Sequence, residues 1–115
     1  MSTAAASRNI VLVGLNHRTA PVEVRERIAF ANGQFDAALR RLVELEGVAE
    51  GAILSTCNRV EIIACGTDAD AITTGLPRFI AREHEVPEPA LASHLYTHAG
   101  REAVRHLFRV AASLD

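Results

Sequence analysis

At the centre of the chain stands Val48-Ala-Glu-Gly-Ala-Ile-Leu-Ser-Thr-Cys-Asn-Arg-Val-Glu-Ile-Ile-Ala-Cys-Gly66, the segment from which the topology is most readily inferred. Two aliphatic runs, 48–54 and 60–65, flank a short polar segment, 55–59. Runs of this kind predict two strands joined by a loop, the first interrupted by Gly51 and the second ended by Gly66. The middle of the fold is therefore a β-β unit.

The residues before this unit predict a strand followed by helical structure. Residues 10–15 are rich in β-branched side chains and predict a buried strand. A short helix is predicted over 22–29, after a loop that contains a proline. From Asn32, apolar residues recur at helical spacing, which predicts a longer helix with Asn32 as its N-cap and Gly47 as its C-terminal stop.

The residues after the unit predict two further helices and one more strand. Asp68 is expected to cap a helix over 69–84, within which Pro77 predicts a break or a kink. The remaining predicted elements are a loop, an edge strand and an amphipathic helix, over 86–89, 91–96 and 101–114. The apolar face of that last helix is predicted to consist of Val104, Leu107, Phe108 and Ala111.

The predicted order, β-α-β-β-α-β-α, is that of a ferredoxin-like α+β sandwich with an additional C-terminal helix. A length of 115 residues suits one domain and is too short for a dinucleotide-binding domain plus a substrate domain. We expect this domain to span 10–115, after a disordered N-terminal tail over 1–9. The last predicted helix reaches Asp115 without a cap, which indicates a chain cut from a longer protein.

Composition excludes several classes of function. The net charge of −2 argues against binding a polyanion by bulk electrostatics. All 12 basic residues are arginine, which excludes a Schiff base on a lysine of this chain. No segment is as apolar and long as a membrane span or a secretory signal, so a soluble, cytoplasmic protein is expected. The two cysteines do not form a disulfide framework and are expected to be free thiols.

The polar loop carries the strongest chemical signal, because it presents a thiol. Cys57 is followed two residues later by Arg59, whose positive charge would favour the nucleophilic thiolate. The Ser, Thr and Asn groups of the loop, with its backbone N–H groups, could hold a carbonyl or its developing oxyanion. A buried, inert cysteine at a strand end is the alternative. Cys65 has apolar neighbours and is expected in the core.

Three blocks together resemble glutamyl-tRNA reductase. They are Val13-Gly-Leu-Asn-His-Arg-Thr-Ala-Pro-Val22 followed by Arg25-Glu-Arg27, then Leu54-Ser-Thr-Cys-Asn-Arg-Val-Glu61, and Ala103-Val-Arg-His-Leu-Phe-Arg-Val-Ala111. The blocks occur in the family's order and cover the chain from about residue 11 onward. The chain is thus similar to the N-terminal, nucleophile-bearing part of that enzyme.

The resemblance implies an oxidoreductase reaction in tetrapyrrole (porphyrin and heme) biosynthesis. The cysteine matching Cys57 attacks the ester of glutamyl-tRNA and forms a thioester, which NADPH reduces to glutamate-1-semialdehyde. Thr56, Asn58 and Arg59 match residues that contact the substrate, with Arg59 suited to pair with a carboxylate through its forked donors. The histidine matching His106 lies near the thiol in the family and supports its activity.

The same resemblance implies partners and parts that this chain lacks. NADPH is bound in the family by a Rossmann domain, and no Gly-x-Gly-x-x-Gly motif occurs here. The family forms homodimers through a further domain, and the downstream glutamate-1-semialdehyde aminomutase is a possible partner. Ser113 stands where the family usually has glycine, which would cost stability if the backbone there is left-handed. We expect the isolated chain to be limited to slow, cysteine-dependent deacylation.

Several residues keep alternative interpretations. His17 either caps a strand end or contacts substrate. An arginine cluster is either a solvated face or a contact for the tRNA acceptor end; its members are Arg18, Arg25 and Arg27. His94 and His98 have a spacing seen in zinc sites, but no Cys-x-x-Cys pair accompanies them and no metal is predicted.

The main alternative function is a non-catalytic ferredoxin-like binding or regulatory module. A base-stacking RNA module is disfavoured because the strands over 10–15 and 60–65 contain no aromatic residue. An isolated folding unit without activity of its own is a third alternative.

Overall fold

A computed structural model describes residues 8–114 of the chain. Its strands are β1 (Asn9–Asn16), β2 (Val48–Ser55), β3 (Arg59–Gly66) and β4 (Tyr96–Ala99). Its helices are α1 (Val22–Ile28), α2 (Phe35–Leu42), α3 (Ala69–Glu83), α4 (Glu88–Ala92) and α5 (Arg101–Ala111), and a 3₁₀ turn over Asn32–Gln34 precedes α2.

The four strands form one antiparallel sheet in the order β2-β3-β1-β4. Strand β3 lies between β1 and β2, which are joined through α1 and α2. This arrangement is the split β-α-β unit of the ferredoxin-like sandwich. The predicted α+β fold with an additional C-terminal helix is confirmed.

Alternation along the central strands separates two faces of the sheet. The main core cluster joins the inward side chains of β1 and β3 to the buried face of α3; its strand members are Val11, Val13, Leu15, Val60, Ile62 and Ala64. Because successive strand residues point to opposite faces, Leu12, Gly14 and Glu61 lie on the other face. Helix α5 packs there against β4 and β1. The candidate site lies on this second face.

The fourth strand was misplaced by the sequence prediction. Residues 91–96 do not form a strand, because Leu91 belongs to α4, where it is 2% exposed and packs into the core cluster. Part of the predicted loop over 86–89 also belongs to this helix. Pro89 lies in the first turn of α4, where a missing N–H costs no intrahelical hydrogen bond. The strand starts instead at Tyr96.

Helix α3 confirms the predicted cap. The Asp68 Oδ1 accepts a hydrogen bond of 3.0 Å from the backbone N–H of Ala71. The predicted break at Pro77 is absent, since the helix runs through it to Glu83. Apolar side chains on both sides of the proline are fully buried and hold the two halves on the sheet; examples are Ile72 and Ile80.

The helix predicted from Asn32 begins later and ends earlier. Asn32 opens the 3₁₀ turn and is not an N-cap. Gln34 stands at the N-cap position of α2 without a side-chain cap hydrogen bond, and its Oε1 accepts from the backbone N–H of Ala31 at 2.6 Å. Helix α2 ends at Leu42, so Gly47 belongs to the turn that leads into β2. Its φ of 84° is left-handed, which explains the glycine there.

The described part of the chain begins just before strand β1. Strand β1 starts at Asn9, which pairs with Gly66, and Arg8 forms an ion pair of 3.1 Å with Glu50. Residues 1–7, the larger part of the predicted disordered tail, lie outside the described residues. None of the helices within residues 8–114 has the length and apolar character needed to cross a membrane.

Candidate functional site

The turn between β2 and β3 presents Cys57 as an exposed, free thiol. Thr56 organises this turn: its backbone N–H donates to the carbonyl of Arg59 at 2.8 Å. Its Oγ1 accepts from the backbone N–H groups of Asn58 and Arg59, both at 3.2 Å. A threonine side chain that satisfies two turn N–H groups fixes the loop locally. Cys57 is therefore exposed, in contrast to the buried cysteine of the alternative interpretation.

Arg25 of α1 ties the turn to the rest of the domain. Its Nε donates to the carbonyl of Cys57 at 3.3 Å, and its Nη1 donates to the carbonyl of Ala20 at 2.8 Å. At the end of β2, the Ser55 Oγ accepts from the backbone N–H of Phe30 at 2.9 Å. Arg25 is thus neither a purely solvated residue nor a free cation. The sequence did not reveal this structural role.

Arg59 turns inward from the thiol turn and is only 6% exposed. Its Nη1 lies 3.1 Å from the Oε2 of Glu61, a side chain with no exposed surface. A buried carboxylate needs a partner of this kind, because an uncompensated charge in the interior is costly. The predicted cation near Cys57 is therefore also the counter-ion of a buried acid.

Glu61 has three hydrogen-bond partners on one oxygen atom. Besides Arg59, the Tyr96 hydroxyl donates to Oε2 at 2.5 Å, and the His106 Nε2 lies 2.5 Å from the same atom. The other oxygen, Oε1, is buried without a hydrogen-bond partner among residues 8–114. Sequence reasoning missed Glu61 and Tyr96. The signal was present, since Glu61 is the one charged residue within the otherwise apolar run 60–65.

His106 is buried on the inner face of α5, at 7% exposure. Its ring stacks on His98 with centroids 4.6 Å apart and lies 5.4 Å from the ring of Tyr96. Its Nε2 is hydrogen-bonded to Glu61 and not to the thiol. The expected support of Cys57 by His106 is not a direct contact in this structure.

The predicted apolar face of α5 is not the face that docks on the sheet. The helix docks through Ala103 and His106, whereas Phe108 is 71% exposed and Val104 is 40% exposed. Small Ala103 allows close approach to the sheet, and His106 is hydrogen-bonded to Glu61. A hydrogen-bonded histidine thus replaces a large apolar side chain at the contact, which a hydropathy pattern cannot indicate.

Two cavities adjoin this network. We name the first the Thr56 cavity; it has about 610 Å³ and is lined by His17, Leu54, Thr56, Asn58, Arg59, Leu107, Val110, Ala111 and Ser113. The second, the His98 cavity, has about 360 Å³ and is lined by Asn16, Tyr96, His98, Glu102, Arg105, His106 and Arg109. All three predicted substrate-binding residues therefore line one cavity with His17, while His106 borders the other. Glu61 connects the two cavities, because it is hydrogen-bonded to Arg59, which lines the first, and to His106, which lines the second.

A larger cavity, of about 900 Å³, lies between α2 and α3 and contains none of the predicted site residues. On its border the Glu83 carboxylate accepts from the Arg41 Nε at 2.6 Å and from its Nη2 at 2.8 Å. This hydrogen-bonded pair raises the pKa of the Arg41 guanidinium above its ordinary value. The thiol turn lies outside this cavity.

The remaining candidates have simpler surroundings. Arg18 and Arg27 are exposed, and Cys65 is half-buried in β3. The His94 Nδ1 lies 3.0 Å from the carbonyl oxygen of Thr19. Within residues 8–114, no group of three His, Cys, Asp or Glu side chains could hold a metal ion.

Ser113 follows α5 with a φ of 60°, in the left-handed region. The condition under which serine was expected to cost stability at this position is therefore met. An L-residue pays for that conformation, whereas glycine adopts it freely.

The chain's residues do not fit a dinucleotide. The described sheet is antiparallel throughout, so it has no parallel β-α-β crevice at whose edge a pyrophosphate could bind a helix N-terminus. No step involving NADPH is assigned to these residues.

Comparisons with known proteins agree on one family. A family profile described as "Glutamyl-tRNAGlu reductase, N-terminal domain" matches residues 13–115. The chain is 51% identical over 107 residues to a glutamyl-tRNA reductase of Syntrophotalea carbinolica, covering 93% of this chain and 24% of that protein. It is 52% identical to the Geobacter sulfurreducens enzyme, covering 93% of this chain and 25% of that protein.

A solved structure supports the same assignment. Glutamyl-tRNA reductase from Methanopyrus kandleri superposes with a TM-score of 0.62 at 36% identity, covering 91% of this chain and 22% of that one. The chain thus spans about a quarter of the length of the relatives that it matches. Profile, sequence identity and fold together place this chain in the glutamyl-tRNA reductase family, as a member that corresponds to its N-terminal domain.

Proposed function

We propose that this chain carries the nucleophilic step of glutamyl-tRNA reduction, with Cys57 as the nucleophile. The Cys57 thiolate attacks the carbonyl carbon of the glutamyl ester. A carbon–sulfur bond forms, the carbon–oxygen bond to the terminal ribose breaks, and the tRNA oxygen leaves with a proton. The observation that carries this proposal is the exposed Cys57 thiol, held at the tip of a turn fixed by Thr56 and Arg25.

The Thr56 cavity is proposed to receive the glutamyl group. Thr56, Asn58 and Arg59 line this cavity directly beside the thiol turn. Arg59 would bind the substrate carboxylate, since a guanidinium suits the planar geometry of that group. Its ion pair with Glu61 supports this role because it holds the guanidinium in one orientation. The Asn58 side-chain amide would stabilise the oxyanion, because the backbone N–H groups of Thr56, Asn58 and Arg59 are engaged within the turn.

Proton transfer is the role proposed for His106. An imidazole near neutral pH can accept or return a proton during thioester formation. In this structure its Nε2 is occupied by Glu61, so any proton exchange with the substrate would use the other ring nitrogen. This assignment makes Cys57 and His106 the proposed catalytic residues.

Reduction of the thioester is proposed only for the whole protein. NADPH would supply the hydride, bound by residues outside this chain, and the product would be glutamate-1-semialdehyde for tetrapyrrole biosynthesis in the cytoplasm. Homodimer formation and transfer of the product to the aminomutase belong to the same proposal. Without a hydride donor, water would hydrolyse the thioester, returning the thiol and releasing glutamate.

Deacylation of glutamyl-tRNA by this chain, without NADPH, tests the nucleophile. We expect release of glutamate by the parent, trapping of a glutamyl-protein thioester at acid pH, and loss of both in Cys57→Ala. Cys65→Ala is the matched control and is expected to keep the parental rate. Equal rates in both variants would contradict the proposal. Binding of glutamyl-tRNA without turnover by any variant would favour the non-catalytic module instead.

A further inference from the structure

The three residues Glu61, Gly14 and Tyr96 occupy one cross-strand row of the sheet. Gly14 of β1 pairs with Glu61 of β3 on one side and with Tyr96 of β4 on the other. The Tyr96 hydroxyl reaches across β1 to the Glu61 carboxylate, at 2.5 Å. Glu61 and Tyr96 thus belong to the two strands on either side of β1, and their side chains meet over the face of β1.

Glycine at position 14 makes this contact possible. A Cβ at that position would lie 2.7 Å from the Glu61 Cγ and 2.5 Å from the Val60 carbonyl oxygen. Real Cβ atoms do not approach other atoms so closely, so a side chain on residue 14 would displace Glu61. The sheet therefore has a gap at Gly14 that the Glu61 side chain occupies, although glycine weakens a strand interior.

The donors around Glu61 determine which nitrogen of His106 carries a proton. A carboxylate only accepts hydrogen bonds, and its Oε2 lies 2.5 Å from the His106 Nε2. That nitrogen must therefore be the N–H donor. In a neutral imidazole the other nitrogen, Nδ1, then holds the lone pair.

We propose that Glu61 is a positioning residue: it fixes His106 as the Nε2–H tautomer, with Nδ1 as the basic nitrogen, and orients the Arg59 guanidinium through the same oxygen atom. Tyr96 supplies a second neutral donor to that oxygen and so holds the carboxylate in place. This inference rests on the proposed function only where it gives His106 and Arg59 a part in catalysis. The tautomer itself is a property of the folded chain.

Burial argues that Glu61 is more than a packing residue. Its side chain has no exposed surface, and an apolar side chain of similar volume would avoid the cost of desolvating a charge. Glu61 is hydrogen-bonded to a charged side chain, Arg59, and to one that can transfer a proton, His106. Both are among the residues proposed to act on the substrate. Holding such side chains in fixed geometry is what reactions at a bound substrate require.

Nitrogen-15 NMR of the histidine rings at pH 8 tests the tautomer. In the parent chain, His106 is expected to show a protonated-type shift at Nε2 and a bare-nitrogen shift at Nδ1. In Glu61→Gln, we expect this preference to weaken, with both nitrogens moving toward averaged shifts, because a neutral amide oxygen accepts a weaker hydrogen bond than a carboxylate. Glu50→Gln, which removes an exposed carboxylate on β2, is the matched control and is expected to leave His106 unchanged.

Each outcome decides the inference. A proton on Nδ1 in the parent, or on both nitrogens, would overturn it even if Glu61→Gln failed to fold. A folded Glu61→Gln with unchanged His106 shifts would overturn it as well. The expected pattern in the parent, weakened only in Glu61→Gln, would support it.

Thioester formation separates this inference from the proposed function. In a folded Glu61→Gln chain, the acylation rate of Cys57 is expected to fall by about 10²-fold, the lower end of what positioned proton transfer contributes. If the parent shows the expected tautomer but no variant forms a thioester, the proposed function fails and the positioning of His106 stands. If thioester forms but the tautomer differs, the reverse holds.

Discussion

Gly14 and Glu61 face each other across β1 and β3, and the absence of a side chain on the glycine gives the carboxylate its place. This relationship couples the packing of the sheet to the chemistry of its second face. The same row brings Tyr96 to the carboxylate from β4. Gly14 is thus required at this position, because its lack of a side chain leaves room for Glu61.

Gly14→Ala is therefore expected to destabilise the domain. The added Cβ would meet the Val60 carbonyl at 2.5 Å, a backbone atom that cannot move freely. Overpacking of this kind costs about 1–3 kcal/mol in the free energy of unfolding, which urea denaturation would measure. The histidine ring shifts should change as well, because Glu61 moves.

Gly75→Ala provides the control for that substitution. Gly75 lies inside α3, and a Cβ there would meet nothing within 4 Å. Alanine favours the helix over glycine by up to about 1 kcal/mol, so this variant should be more stable than the parent. Equal effects of the two substitutions would show that the Gly14 gap is not required.

Ser113→Gly is expected to stabilise the domain by about 0.5–1 kcal/mol. A residue with a side chain is strained at the φ of 60° found at Ser113, whereas glycine is not. Replacement by glycine relieves this strain, although the larger conformational entropy of glycine in the unfolded chain offsets part of the gain. Thermal or urea unfolding would measure the difference. Ser93→Gly is the control, since its φ of −73° offers no relief, and it should be neutral or destabilising.

Local signals in the sequence were enough to predict most of the fold. The β-β unit around Cys57 and the Asp68 cap depend on neighbours in the chain, and the structure confirms both. The fourth strand depends on packing: the pattern placed it at 91–96, but Leu91 fills the core from a helix. Tertiary burial decided that segment, and no local pattern records it.

The candidate site likewise contains some residues that the local sequence predicts and others that only the tertiary structure brings together. Cys57, Thr56 and Asn58 are adjacent in sequence, so the turn could be identified from residues alone. Glu61 acquires its meaning only from Tyr96 and His106, which are 35 and 45 positions away along the chain. A polar residue within an apolar run was visible, but its partners depend on the strand order and on which face of α5 meets the sheet.

Substitutions on α5 test that docking face. Phe108 is 71% exposed, so Phe108→Asn should change the free energy of unfolding by no more than about 0.5 kcal/mol. Ala103 has no exposed surface, and Ala103→Leu should cost about 1–3 kcal/mol through overpacking. Urea unfolding of both variants measures the contrast. A large loss in Phe108→Asn would instead support the apolar face that the sequence pattern predicts.

Arg25→Gln is expected to slow the chemistry of Cys57 more than it lowers stability. Arg25 holds the Cys57 carbonyl and the Ala20 carbonyl together, so its removal frees the thiol turn. Misplacement of a nucleophile by about 1 Å can cost up to about 10²-fold in rate, and single-turnover thioester formation would measure it. Arg27→Gln is the matched control on the same helix, where the side chain is exposed. Loss of activity in Arg25→Gln alone would assign Arg25 to the turn, whereas equal losses of glutamyl-tRNA affinity in both variants would assign the two arginines to the tRNA acceptor end.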